Sequence, residues 1–339
     1  MMNFLKIFCI LLISKACFCQ KTLRIAAWGG EIPHELIAKF EKKTGTKVFI
    51  TTVESNESLL IKLKTSKKSL YDIIAPSNYY VDMLAKMHMI QKLDPNQIPE
   101  LQHISSVFIN PKGPLYSVPF IYGASGIFYN KKWVKEIPYH WTDFWKASYQ
   151  DQLLLLDDTR EVFSATLLSQ SLSPNTQNPA EIKKAYQQLL KLTPNIKLFA
   201  SDAVPRIITD EDAQIGMAWN GDVVKSRQEN PNIEFVYPRE GFILWNEGFS
   251  ITQNAENIEE AYAFINFILE PQNSALITKK FGFSVTNEKA KDYLPKHLVE
   301  DPILFPSPEI LKYGILQKSL DANTLKLYNE YWERFKLSI

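Results

Sequence analysis

A chain of 339 residues is long for one ordinary hydrophobic core, so two domains are expected. Hydrophobic residues at 45% and charged residues at 22% fit neither a disordered chain nor a multi-pass membrane protein. A formal net charge of +1 with no basic tail argues against a nucleic-acid partner.

The first residues differ in kind from the rest. Lys6 precedes an apolar run from Ile7 to Ile13, and small residues follow. This layout predicts a signal peptide over residues 1–19, cleaved after Cys19 to leave Gln20 first. The run is far shorter than the roughly 20 residues a spanning helix needs. A lipoprotein site at Cys17 is the weaker alternative, because Lys15 stands two residues before it. Cys9, Cys17 and Cys19 all lie in this segment, so the exported chain has no disulfide, thiolate or cysteine metal site. Losing Lys6 and Lys15 takes the 38 basic residues to 36 against 37 acidic ones.

Leu23–Ala27 reads as a short strand, followed by Trp28-Gly29-Gly30 and a helix from near Pro33 with Leu36, Ile37 and Phe40 on one face. Gly45 stops that helix, and Lys47–Val53 is a β-branched strand. A second helix starts near Asn56, a third strand covers Tyr71–Ala75, and a third helix starts near Tyr79. Leu153–Leu156, Ile215–Trp219, Ile233–Tyr237 and Leu244–Thr252 read as later strands, with helices over Pro179–Leu192 and Glu256–Leu269. Alternating strands and helices predict α/β lobes with parallel, doubly wound sheets and a chain that crosses between them more than once. Ligands bind beyond the carboxyl ends of such strands.

Those strand ends are rich in rings and carboxylates. They hold Trp28 and Glu31; Ser77, Tyr79 and Tyr80; Asp157, Asp158 and Glu161; Trp219 and Asp222; and Trp245 and Glu247. Lys is absent from these loops, and Arg160 is the nearest cation. A flexible chain bearing several ammonium groups needs ring faces along its methylenes and carboxylates at its nitrogens. Each residue also has a plainer role. Asp158 and Glu161 have capping-box spacing, Ser77 is equally a helix cap, and single tryptophans are commonly core.

The stretches NESLLIKLKTSKKSLYDIIAPSNYYVDML, SVPFIYGASGIFYN, LLLLDDTREVFSATL, AWNGDVV and YPREGFILWNEGFSIT resemble the periplasmic spermidine/putrescine-binding proteins of polyamine ABC transporters, from about residue 23 onward. The resemblance implies a type II periplasmic-binding-protein fold, with two α/β lobes, a hinge and a cleft. The lobes would be 20–123 with about 248–288, and 124–247 with about 289–339. It implies cage aromatics at Trp28, Tyr79, Trp219 and Trp245, a polar contact at Ser77, ammonium ligands at Asp158 and Glu161, and a hydrogen bond from Gln317. Glu247 stands where the family has Asp, and Phe283 where a relative has Tyr. After the first Trp, the family's polar or acidic residues and Tyr give way to Gly29-Gly30-Glu31, which leaves Glu31 as an alternative carboxylate. It further implies a periplasmic monomer without a cofactor, serving ABC permease subunits.

Three other readings bear on the same residues. Catalysis lacks a complete constellation: Ala38 occupies the second-histidine place of H-E-x-x-H, and Gly123-Ala124-Ser125-Gly126 is not G-x-S-x-G. Adjacent Tyr79-Tyr80 keeps ferric iron open as a ligand of the same fold. A polyamine protein that reports to a sensor has the same sequence signature.

Overall fold

The computed structural model describes residues 20–65, 70–109 and 113–339; the expected leader and its three cysteines lie outside the described residues. The chain opens with β1 (Thr22–Trp28), α1 (His34–Thr44), β2 (Lys47–Val53), α2 (Asn56–Thr65), β3 (Ile73–Ile74) and α3 (Asn78–Lys86). The long β4 (Val118–Asn130) leads to β5 (Leu153–Leu156), α4 (Thr159–Leu168), α5 (Pro179–Leu190), β6 (Ile196–Ala200), α6 (Val204–Thr209), β7 (Ile215–Trp219), α7 (Asn220–Glu229) and β8 (Ile233–Val236). β9 (Phe242–Ile251) then leads to α8 (Ile258–Leu269), α9 (Pro271–Phe281) and β10 (Ser284–Val285). The last elements are α10 (Lys296–Val299), α11 (Pro308–Leu311), β11 (Gly314–Leu316) and α12 (Ala322–Lys336).

The main strand order is β2-β1-β3-β9-β4-β7-β5-β6. β1 pairs in parallel with β2 and β3, and β5 with β6 and β7, as the strand–helix alternation predicts. The expectation of purely parallel sheets needs correction. β9 runs antiparallel to β3 and β4, and β4 antiparallel to β7 and β8. β4 is 13 residues long and buried throughout. At about 3.4 Å per residue it spans roughly 44 Å.

β4 and β9 pass through two hydrophobic cores. Val118, Phe120 and Ile121 of β4 join Phe249 and Ile251 of β9 in the first core, with Leu23, Ile25, Phe40 and Phe264. Ile127 and Phe128 join Ile243 in the second, with Leu153–Leu156, Phe163 and Tyr328. Phe120 stacks on Phe249 at 4.0 Å between ring centroids, so these strands are locked together by rings as well as by their ladder. In the first core Phe40 of α1 meets Phe264 of α8 edge-on at 5.1 Å. In the second, Phe163 of α4 meets Tyr328 of α12 at 5.2 Å.

Local boundaries have local causes. α1 ends at Gly45, whose φ of 74° lets its N–H reach the Glu41 carbonyl. The expected strand over Tyr71–Ala75 is reduced to Ile73–Ile74, and the buried Asp72 beside it serves as an anchor. Asp72 accepts from the backbone N–H of Arg24 at 2.9 Å, of Glu256 at 3.1 Å and of Asn257 at 3.2 Å. It thus satisfies donors just before α8, which begins at Ile258, two residues later than predicted. The predicted helix over Pro179–Leu192 ends at Leu190, and the strand from Ile233 ends at Val236.

Candidate functional site

The site is assembled where β1, β2, β3, β5 and β7 end and where β4 and β9 cross. Across the β4–β9 ladder, Trp245 lies opposite Gly123 and Glu247 opposite Ile121; across β4–β7, Trp219 lies opposite Ser125. Residues two apart share a strand face, so Trp245, Glu247, Gly123, Ser125 and Trp219 line the same side of the sheet. Gly123 is required here by contact. A Cβ on it would come within 2.3 Å of the Trp245 ring, which lies across the space a side chain would take. Phe283 meets Trp245 edge-on at 5.7 Å and rests in turn on Gly221.

Glu247 is held by residues from two strand ends. Ser77 Oγ donates to its Oε1 at 2.9 Å, and Trp28 Nε1 donates to its Oε2 at 3.0 Å. Ser77 sits at the N-terminus of α3, yet its side chain makes no capping bond there. The hydroxyl is spent on Glu247 instead, which decides against the simple cap. Behind it, Asn56 Nδ2 donates to Ser77 Oγ at 3.0 Å and to the Tyr79 hydroxyl at 3.2 Å, while its Oδ1 accepts from the Ser77 backbone N–H at 3.1 Å. Asn56 begins α2 just beyond β2, a strand end at which sequence alone marks no site residue. The strand-end rule itself points to it.

The second acidic group stands at the start of α4. Asp158 caps the helix by accepting from the Glu161 backbone N–H at 3.0 Å. The capping box is not completed by the Glu161 side chain: its Oε2 is buried without a hydrogen-bond partner. Arg160, between them, is 3% exposed and lies over the rings of Tyr79 at 5.1 Å and Tyr328 at 5.9 Å. Its guanidinium also donates to the Lys318 carbonyl and to Asn175 Oδ1, each at 3.4 Å. Gln317 Nε2 reaches Ser164 Oγ of α4 at 3.5 Å, and its carbonyl accepts from Asn78 Nδ2 at 2.8 Å.

Electrostatically the acids form one series. Burial raises Glu247 from its ordinary value of 4.5 to about 8, against the pull of Ser77 and Trp28, and the Asp158 charge adds to the rise. Burial and then Asp158 raise Glu161 to about 8, with Ser125, Arg160 and Trp219 pulling it down. Asp158 is raised by burial, and Glu31 well above its usual range by burial and then by the Glu247 charge. Both oxygens of Glu247 accept hydrogen bonds, the geometry of an ionised carboxylate, so an added cation is what would hold it charged. The structure therefore brings Trp28, Glu31, Ser77, Tyr79 and Glu247 together, sets Asp158, Glu161 and Trp219 beside them, and joins Trp245 to Phe283 and Gln317 to α4.

The tyrosine pair is arranged differently from a metal site. The Tyr79 hydroxyl accepts from Asn56, and the Tyr80 hydroxyl donates to Glu57 Oε1 at 2.7 Å. Burial, with the nearby Glu57 and Asp158 charges, pushes both phenols well above their ordinary range and keeps them neutral, whereas a ferric ligand must be a phenolate. Among the described residues no group of three or more His, Cys, Asp or Glu side chains is disposed to hold a metal ion.

Residues 35–306 match the profile of the bacterial extracellular solute-binding proteins. The chain is 37% identical over 93% of its length to spermidine/putrescine-binding periplasmic protein 1 of Haemophilus influenzae, covering 89% of that relative. It is 38% identical over 94% of its length to the spermidine/putrescine-binding periplasmic protein of Escherichia coli strain K12, covering 92% of it. Its fold is similar to that of the spermidine/putrescine ABC transporter substrate-binding protein PotD from Streptococcus pneumoniae, with a TM-score of 0.82, 32% identity, and 94% of this chain and 99% of that one covered. With two α/β cores strung on shared antiparallel strands and rings and carboxyls gathered at the strand ends, the chain belongs to the bacterial extracellular solute-binding proteins and has the type II periplasmic-binding fold.

Proposed function

We propose that this chain captures a polyamine, spermidine or putrescine, outside the cytoplasm and hands it to the permease subunits of an ABC importer. It is a binding protein, not an enzyme. The observation that carries the reading is the gathering of carboxyls at the strand ends, buried Glu31, Glu247 and Glu161 with half-buried Asp158, drawn from elements of both cores. Such a set is unfavourable unless cations enter it. The rings of Trp28, Tyr79, Trp219, Trp245 and Phe283 supply apolar and cation–π surface for the methylenes between ammonium groups. Anionic ligands are opposed by the same carboxyls.

In this reading the cores move as two lobes, 20–123 with about 248–288 and 124–247 with about 289–339, and the ligand stabilises the form in which they meet. The leader over 1–19 delivers a soluble monomer to the periplasm. No helix among the described residues is long and apolar enough to cross a membrane. Thermal unfolding with spermidine, putrescine, a neutral sugar and ferric ion tests the ligand class. An amine at 100 times its dissociation constant is expected to add about 2.7 kcal/mol of stability. A melting curve that no amine moves, or that sugar moves equally, refutes the reading.

A further inference from the structure

β4 changes neighbours where it leaves one core for the other. β9 runs along one edge of it from Val118 to Ser125. On the opposite edge β10 of the first core pairs at Ile121 and Tyr122, and β7 of the second core takes over at Ser125. Between them, no strand of the described residues pairs with Gly123 or Ala124 on that edge. The Ala124 N–H is met by a side chain instead, donating to Asn220 Oδ1 at 3.0 Å. Asn220 is 1% exposed and begins α7, directly after Trp219. Its Nδ2 donates to the Ile303 carbonyl at 2.8 Å, on the connection from β10 to β11. The next carbonyl of that connection, on Leu304, accepts from Ser284 of β10. One amide thus ties β4 to a later passage of the chain between the cores. The backbones of α7, from the second core, and α9, from the first, also touch here. A Cβ on Gly221 would come within 2.9 Å of the Gly282 carbonyl oxygen, and one on Gly282 equally close to that of Gly221.

We propose that the Asn220 side chain is the pivot on which the two lobes turn, and so a positioning residue for ligand capture. The inference rests on the two-lobe, amine-binding reading above and names the part that lets it move. A strand ladder resists bending because its rungs fix two backbones together. At Gly123 and Ala124 that restraint is missing on one edge, and Asn220 supplies the partner through bonds that can rotate. An Asn amide offers an acceptor and two donors, enough to stand in for a peptide group. An unmet N–H in so buried a place is costly, so the bond is kept as the lobes part. Trp219 stands one residue before Asn220, and Trp245 lies over Gly123, one residue before Ala124. Both rings therefore sit at the pivot and shift least, while α3 and α4, on opposite lobes, swing together over the ligand.

The test is hydrogen exchange at the Ala124 amide, read by NMR with and without saturating spermidine or putrescine, beside small-angle scattering. In the wild type the amide is expected to exchange slowly in both states, within about twofold, while the radius of gyration falls on binding. Asn220→Ala is expected to speed that exchange about a hundredfold and to enlarge the ligand-free radius. It should also weaken amine binding about tenfold, because fewer molecules stand ready to close. Asn195→Ala is the control, since Asn195 is another buried amide, donating to the Phe144 and Lys146 carbonyls beside the second core. It is expected to lower the melting temperature while leaving affinity and the change in radius as in the wild type. If it weakens binding as much as Asn220→Ala does, lost stability explains the effect and the proposal is wrong. A wild-type Ala124 amide that exchanges freely once the amine is removed also overturns it, whether or not Asn220→Ala folds. An amine that binds without shrinking the radius removes the pivot and leaves the amine reading standing. Binding of neither amine overturns that reading and this inference with it.

Discussion

Glu247 and Glu161 are raised from 4.5 to about 8, and the sign of that shift fixes a pH response. A carboxyl whose folded value is raised favours folding fully below its unfolded value and loses that contribution as pH rises through the folded one. The ligand-free protein is therefore expected to melt at progressively lower temperature between pH 5 and pH 8. Amine affinity should move the other way over the same window, because the cation needs the ionised acids. A titration series at constant ionic strength checks both trends, and a flat affinity profile would remove these two acids from the ligand's surroundings. Much of this residue-level chemistry is visible in sequence: rings and carboxylates gather after the strands, and Lys does not. What is hidden is partnership. The S-N-Y order of Ser77-Asn78-Tyr79 reads as a cap, and only the fold shows that Glu247, 170 residues away, receives its hydroxyl. Asn56 is hidden for the same reason, its partners lying 21 and 23 residues onward.

At the level of elements, the amphipathic helices are legible because their apolar residues recur with the helical period, and the short parallel strands because they are brief apolar or β-branched runs. Lys47–Val53, Leu153–Leu156 and Ile215–Trp219 have the bounds the sequence predicts. β4 is not legible in that way. It is buried on both faces along its whole length, so no alternation marks it, and Gly123 and Gly126 interrupt its run of strand-forming residues. The first of these glycines gives a direct test of how β4 shapes the cleft. Gly123→Ala is expected to displace the Trp245 ring and weaken amine binding by about tenfold or more, near 1.4 kcal/mol, the scale of a partly desolvated cation–π contact. Tryptophan fluorescence and the dissociation constant measure the two effects. Unchanged affinity with a shifted spectrum would show that Trp245 packs without touching ligand.

For the molecule as a whole, polar side chains also join the elements of the two cores away from β4 and β9. Asn78 of α3 donates to Gln317, and Arg160 of α4 covers the Tyr79 ring. In the proposed two-lobe movement, contacts of this kind would hold the lobes weakly and bound ligand would set their separation. Small-angle scattering is expected to show a smaller radius of gyration with saturating amine than without it. Equal radii would mean that the lobes do not part in solution. The sharing of β4 and β9 has a further consequence, for the order in which the chain can fold. Ile73 pairs with Ile251, and the first core draws on residues as late as Ala290. The amino-terminal third therefore has no finished core to collapse onto until most of the polypeptide has been made. On the proposed route out of the cytoplasm, a chain whose first segments stay open so long would remain thin enough to be threaded through a translocation channel and would acquire its shape on the far side.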